Sequence, residues 1–507
     1  MNIVYHQHGN FVFLKEGLSK LGHNIFDIQF KEKEQFDKQI ESVCKNPDII
    51  FFEFYGPFKL PSGIEESKYL KVAYCIDSSV YEFLLIHTMK LFDYVFVDQK
   101  STVNEFEKYG IKSTWLPLCV PEENFRVGSK KEYDICFVGG LSNDRIKRIN
   151  MLNYIKKYYR IKYEYGISVN EMQNLFASSK IVLNENHFNG VNLRVFQALA
   201  SGSLLFTERD SYGLNALFED EKHLVTYTRD TLIDQIDKYI NDDNSAIIAN
   251  NGNIECRNNH TSYSRALQCI KIIENKEKYN IQRDREEQIL AQAEVLYIRA
   301  LRFGGSLKWS IELTKKGIAL CGKHLGQFYS LYGSILYTIG KKDDAKKYIF
   351  NGYKNGYKLI SLVKLAVIEI INSNYNDAKN IIYAIIDDNK YKYIQEILNC
   401  NDKYTIETKL FYTLSRILFE YGNIHFIGFS SQLDIQRYIP FTAAELAYIA
   451  WKIDYNPIIL DFLINCYRFM NISLELLPLL NIANDKGLLT QRQLKLYKKL
   501  LYESYYI

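Results

Sequence analysis

What most constrains this chain is a change of rhythm. Over its first 275 residues or so, short runs of Ile, Val and Phe recur without polar residues alternating inside them, at 2–5, 24–28, 48–54, 71–75, 94–97 and 113–116. Runs of that kind belong to strands buried on both faces, as in a parallel sheet covered by helices. Amphipathic stretches lie between most of them. The first, over 11–21, stops at Gly22, which supplies the left-handed conformation that ends a helix cheaply. Strand–helix alternation of this kind predicts a doubly wound α/β lobe over 1–125.

A second such lobe, over 126–280, opens on YDICFVGG, a buried strand running from Tyr133 into Gly139 and Gly140. A helix over 148–159 follows, segments at 171–178, 181–184, 191–200, 203–207 and 223–227 continue the alternation, and a helix over 263–276 closes the unit. The charged run 274–287 marks either a boundary or the solvated face of a helix. From 284 to 507 only helical patterns remain. Ser310, Ala345 and Ala378 hold similar places in successive helical pairs, 35 and 33 residues apart. Around the middle pair the chain reads Tyr329-x2-Tyr332-Gly333-x2-Leu336, then Ala345-x3-Ile349. Small residues where helices touch, with large ones beside them, resemble a tetratricopeptide repeat. Beyond Asn389 no clean period is visible, and an irregular helical tail is expected. The expected fold class is α/β then all-α: two Rossmann-like lobes followed by a helical-repeat domain.

Composition narrows the function classes. With 47% hydrophobic and 24% charged residues the chain is globular, and eight prolines in 507 residues leave little for linkers. A net charge of +4 over this length gives no basic field for nucleic acid. No run approaches the ~18 apolar residues that span a bilayer. The opening MNIVYHQHGNFVF lacks a basic start and a long apolar core, so no leader is expected. The nine cysteines are scattered singly, which fits reduced thiols and a cytoplasmic location. His187, His223 and His260 lie far apart, and no metal site is expected.

Two segments carry the candidate chemistry. Gly139 and Gly140 let the backbone bend sharply after a buried strand and let a phosphate approach main-chain N–H groups. Arg145, Lys147 and Arg148 follow, where cations can neutralise a diphosphate; a tight turn and a solvated helix face are the plain alternatives. In IVLNENHFNGVNLRVFQALASGSLLFTE a helix is expected from about Val191 to Gly202. Asn192 and Arg194 fall in its first turn, where exposed N–H groups favour an anion, unless Asn192 merely caps the helix and Arg194 pairs with a surface carboxylate. In the first lobe Asp77 ends the strand KVAYCID, at the edge where strand C-termini converge. It is the first candidate for a general base or acceptor-orienting group, with capping of the next helix as the alternative. His6, His8 and Gly9 are expected in the loop after the first strand, and His8 and Glu53, the latter in PDIIFFEF, are further candidates.

Five segments occur in order: KVAYCIDSS, FDYVFVDQ, YGIKSTWLPLCVP, YDICFVGG with Arg145, and FNGVNLRVFQALASGSLLFTE. In that order, over half the chain, they resemble the CgeB-like, spore-maturation type branch of glycosyltransferases with the GT-B fold. The resemblance implies two facing lobes, with a nucleotide sugar held mainly by the second and the acceptor mainly by the first. It also implies a reaction without a metal, the departing diphosphate being stabilised by protein cations and a helix N-terminus. By this resemblance Gly139, Gly140 and Arg145 match the phosphate loop, Asn192 and Arg194 the polar pair facing the donor, and Asp77 an aspartate common in the family. Gln197 stands where many such enzymes have a glutamate on the ribose, and it keeps the hydrogen bonding but not the charge. The paired acidic position is Asn189, with Glu185 on the same loop as the candidate substitute.

The implied reaction moves a sugar from a nucleotide diphosphate, by default UDP, to a hydroxyl; the nucleotide sugar is a co-substrate and no other cofactor is expected. Helical repeats commonly bind peptides, so a protein acceptor is expected, while a polysaccharide or lipid-linked one stays open. The missing acidic pair also fits a degenerate two-lobe scaffold whose repeats bind protein partners. A sugar-nucleotide epimerase is the third reading.

Overall fold

The computed structural model describes residues 1–7, 13–56, 59–126, 130–141, 145–186, 190–275, 283–386, 394–399, 404–424, 434–470 and 473–504. The chain folds as two compact units. One contains Met1–Glu82, Phe92–Gln282 and Leu500–Ile507, the other Phe83–Leu91 and Arg283–Lys499.

In the first unit, the unalternated apolar runs become two parallel sheets. The amino-terminal sheet is built from β1 (Asn2–Gln7), β2 (Asn24–Asp27), β3 (Ile49–Tyr55), β4 (Lys71–Ile76), β5 (Tyr94–Val97) and β6 (Thr114–Trp115), in the order β2-β1-β3-β4-β5-β6. Every pairing is parallel. β4 is buried along its whole length, and its Lys71 ammonium is satisfied by the Ile64 carbonyl at 3.0 Å. The second sheet contains β7 (Tyr133–Val138), β8 (Ile161–Glu164), β9 (Ser179–Leu183), β10 (Leu204–Glu208) and β11 (Val225–Tyr227), in the order β11-β10-β9-β7-β8. In both sheets the winding direction reverses beside the first strand, between β1 and β3 and between β7 and β9. Ligand crevices of open α/β sheets form beyond strand C-termini at such points.

Differences from the sequence reading have local causes. β8, absent from it, is half-buried throughout, and as the sheet's edge it carries Lys162 and Glu164 in place of an apolar run. His6 lies inside β1, not in the loop after it. Its ring packs on Phe30 and Phe52, and its Nδ1 is 3.1 Å from the Ile28 carbonyl oxygen. The first helix is Lys15–Lys20, followed as expected by Gly22 at φ +83°. His8 and Gly9 lie outside the described residues.

Helix Ser262–Glu274 ties the two lobes together. Arg265 Nε donates to the Pro117 carbonyl at 2.8 Å, and Tyr94 Oη donates to the Ile273 carbonyl at 3.2 Å. One hydrophobic core runs through both lobes, from Ile3, Tyr74 and Leu116 to Val195 and Cys269. Gly17 lets helix Lys15–Lys20 lie against Ser262: a Cβ there would fall 2.1 Å from the Ser262 carbonyl oxygen.

In the second unit, helices Lys308–Leu320, Lys342–Lys354 and Tyr375–Ile386 each pack on the helix before them, Arg285–Phe303, Leu325–Thr338 and Lys358–Ile371. Ser310, Ala345 and Ala378 are fully buried at these contacts, and a Cβ on Gly333 would stand 2.5 Å from Ile349. A polar strip crosses the leading helices: Tyr297 Oη lies 3.0 Å from Thr338 Oγ1, and Lys364 Nζ donates to Ser334 Oγ at 2.9 Å. Residues 434–442 cover it, with the Lys364 ammonium 4.5 Å from the Phe441 ring and Tyr337 Oη donating to the Ile435 carbonyl at 3.1 Å. Phe83–Leu91 joins this unit through His87, whose Nδ1 is 2.7 Å from Glu294. A linear cut of the chain cannot show such an insertion. No described helix is long and apolar enough to cross a membrane.

Gly17→Ala is expected to destabilise the first unit by about 1–3 kcal/mol through overpacking against Ser262. Denaturant unfolding checks it, and an unchanged midpoint would contradict the close helix contact.

Candidate active site

In the second lobe the site is built on the C-terminal ends of β7, β9 and β10. Arg194, in the first turn of helix Leu193–Ala200, reaches back to β7: its Nε donates to the Val138 carbonyl at 3.0 Å and its Nη1 to Asn184 Oδ1 at 2.9 Å. Its guanidinium lies 4.6 Å from the Phe137 ring centroid. Gly139 makes room for this. A Cβ there would stand 2.7 Å from Arg194 Nη2 and 3.3 Å from Arg148 Nη1. The main chain is engaged as well: the Gly139 N–H donates to the Glu164 carbonyl at 3.1 Å, the Gly139 carbonyl accepts from Tyr163 Oη at 2.8 Å and the Gly140 carbonyl accepts from Arg148 Nη1 at 2.8 Å. The Gly140 carbonyl therefore holds Arg148 in place, the Gly139 carbonyl holds the Tyr163 hydroxyl, and the Gly139 N–H is already bonded rather than open to a phosphate. The exposed ring of Tyr165 packs over Gly140.

The cations differ in how they are matched. Arg148 Nε pairs with Glu185 at 2.9 Å, both groups buried, and Lys147 pairs with Glu208 at 2.6 Å. Arg194 makes its hydrogen bonds to neutral oxygens, and burial, then the neighbouring Arg148, push its pKa down to about 10. Glu185 is thus committed to Arg148. Asn192 occupies the helix N-cap position without capping it. Its Nδ2 instead donates to Asn184 Oδ1 at 3.0 Å and Asn186 Oδ1 at 2.8 Å, while its Oδ1 is buried and finds no donor among the described residues. Gln197 is buried one turn further along.

In the first lobe, Asp77 follows β4 directly, in the left-handed region at φ 54°. Burial first, then Asp98, raise its pKa to about 7, against a lowering pull from Arg145. Arg145 belongs to the other lobe, so this aspartate lies within electrostatic reach of an arginine from across the cleft. Tyr55, at the end of β3, and Tyr81 share the neighbourhood, each with a pKa raised by burial and then by Asp77. Glu53 stands apart. It is fully buried, accepts from Tyr5 Oη, and accepts the Phe13 N–H at 2.9 Å. It anchors the main chain at Phe13, just ahead of helix Lys15–Lys20, and burial raises its pKa to about 7.

Sequence reasoning missed the group that organises this side. Asp98, immediately after β5, accepts the Asp77 N–H at 3.0 Å, the Ser78 N–H at 3.1 Å and the Ser78 hydroxyl at 2.7 Å. Asn184, which joins Arg194 to Asn192, was missed too. In each case the available signal was a polar residue directly after a buried apolar run, the same signal that singled out Asp77.

The family model described as glycosyl transferase-like matches residues 126–271. No curated protein matches the sequence significantly. Among solved structures, the chain is similar to sucrose-phosphate synthase from Thermosynechococcus elongatus, at 10% identity over 55% of this chain and 99% of that one, with a TM-score of 0.41. It is also similar to a glycosyltransferase from Rickettsia africae ESF-5, at 11% identity over 54% and 98%, TM-score 0.40. A third likeness is to Anabaena HepE in complex with UDP, at 10% identity over 54% and 100%, TM-score 0.38. The glycosyl transferase-like match falls on the second of the two doubly wound parallel lobes.

Because the folded pKa of Glu53 lies above its unfolded value, its ionisation opposes folding. Its stabilising contribution is complete below about pH 4, the unfolded value, and is lost as pH rises through about 7. Glu53→Gln is expected to flatten that part of the stability–pH curve, measured by denaturant unfolding between pH 4 and 9.

Proposed function

We propose that the first unit is a nucleotide-sugar-dependent glycosyltransferase that works without a metal, with UDP as the default nucleotide. The observation that carries this reading is the state of Arg194. It is a half-buried cation beside a second guanidinium, hydrogen-bonded to neutral oxygens, at the N-terminus of an eight-residue helix. Such a group gains most from an anion that enters the site. In this reading the donor diphosphate lies against Arg194 and Arg145, the Asn192 Oδ1 accepts from a sugar hydroxyl, and Gln197 takes the ribose. The resemblance stated above supports the same roles.

Asp77, at the edge of the first sheet, accepts the proton of the acceptor hydroxyl. The acceptor oxygen then bonds to the anomeric carbon while the carbon–oxygen bond to the diphosphate breaks, its electron pair leaving on the phosphate, where the arginines stabilise it. The acceptor in this reading is a protein held by the helical unit, supported by the successive helix pairs with buried Ser310, Ala345 and Ala378 at their contacts. The surface left for it excludes the strip that residues 434–442 cover. The eight described cysteines are all free and seven are buried, which supports a cytoplasmic setting.

Thermal stability is measured against UDP, GDP, ADP, dTDP and CMP, with and without EDTA. One nucleoside diphosphate at 100 times its dissociation constant is expected to add about 2.7 kcal/mol, with EDTA making no difference. Arg194→Ala is expected to weaken that nucleotide by about 100-fold. No shift with any of them in folded protein would favour the non-catalytic scaffold. Asp77 must be ionised to accept a proton, so kcat/KM for sugar transfer is expected to rise with pH through about 7 and then level off. Asp77→Asn is expected to abolish transfer while leaving nucleotide binding intact, and wild-type turnover by that variant would remove Asp77 from the chemistry.

A further inference from the structure

A base on one lobe can serve a donor on the other only if the lobes meet in one fixed geometry. Gln99, directly after Asp98, touches both sides. Its Nε2 donates to Asp98 Oδ2 at 2.9 Å, the oxygen that also accepts the Asp77 N–H at 3.0 Å. The same Nε2 lies 3.3 Å from the Val191 carbonyl oxygen, at the entry to the helix that carries Arg194. The other end of the amide sits in the space that a glycine leaves open. A Cβ on Gly190 would fall 1.9 Å from Gln99 Oε1, so any side chain at 190 must push Gln99 aside. Gln99 is buried, and the Trp115 indole donates to the Asp98 carbonyl at 3.1 Å, which leaves this stretch little freedom to compensate.

We infer that Gln99 is a positioning residue that couples the two half-sites, passing the placement of Gly190 and Val191 on the donor side through Asp98 to the backbone of Asp77. Its catalytic consequence rests on the transferase reading above; the coupling itself does not. A buried amide that merely satisfies its own hydrogen bonds would leave the lobes independent. In a coupled pair, a change confined to the second lobe must be felt at Asp77.

That difference can be measured without any substrate. Hydrogen exchange of the Asp77 and Ser78 amides is followed in wild type, Gly190→Ala and Gln99→Leu, with melting temperature as the check on folding. Gly190→Ala alters only the second lobe, yet it is expected to speed exchange at these two amides about tenfold, and Gln99→Leu to do the same. Unchanged exchange in both variants would overturn the coupling whatever the protein catalyses.

The kinetic arm follows transfer. Each variant is expected to lower kcat by about 10–100-fold, with UDP affinity held within about threefold, and the double variant to be no worse than the worse single one. Losses that multiply in the double variant would mean independent structural damage and would overturn it. If Asp77→Asn leaves transfer unaffected while exchange responds as expected, the transferase assignment of Asp77 fails and the coupling stands.

Discussion

The carboxylate of Asp98 is buried, and among the described residues four donors share it and no cation is paired with it. Burial raises its pKa while those donors pull it back down. A buried carboxyl group held this way depends on every donor staying in place, because losing one leaves polar surface without a partner. The arrangement fixes the left-handed turn at Asp77, a conformation that a non-glycine residue adopts only when its surroundings impose it. Through Gln99 the same carboxylate also reaches the loop ahead of helix Leu193–Ala200. The candidate base and the helix that carries Arg194 therefore depend on one set of hydrogen bonds.

On the opposite side, the constraint is crowding of positive charge. Arg194 and Arg148 flank the Phe137 ring, and Glu185 is bonded to only one of them. Gly139 admits both because it has no side chain to collide with them. The glycine is needed here for close approach, with its own N–H already bonded to Glu164. In the reaction proposed above, a carboxyl group titrating near neutrality on one lobe would take the proton and the basic cluster on the other would stabilise the departing diphosphate.

Much of this could be read from the sequence, for definite reasons. Parallel strands buried on both faces announce themselves as unbroken apolar runs, as at 71–75 and 94–97, and the change to helices alone is equally visible. The edge strand Ile161–Glu164 was not legible, because an edge tolerates the charges that disguise it. Site residues at strand ends, Asp77 and Gly139, could be located, with a plain structural role left open beside the functional one. Glu53 resembled a cleft carboxylate and is instead a buried anchor for the main chain at Phe13. Glu185, read as the substitute for the missing acidic residue at 189, is bonded to Arg148. Both roles depend on what folds over the residue from elsewhere in the chain, as do the partners of Asp98 and Gln99, which sequence spacing does not encode.

A crystal structure of the protein with UDP tests the central claim, that the basic cluster at the start of helix Leu193–Ala200 is a diphosphate site. Phosphate oxygens are expected within hydrogen-bonding distance of the Arg194 guanidinium, beside Gly140 and across from Asp77. UDP bound elsewhere on the molecule, with Arg194 still bonded only to Val138 and Asn184, would contradict it.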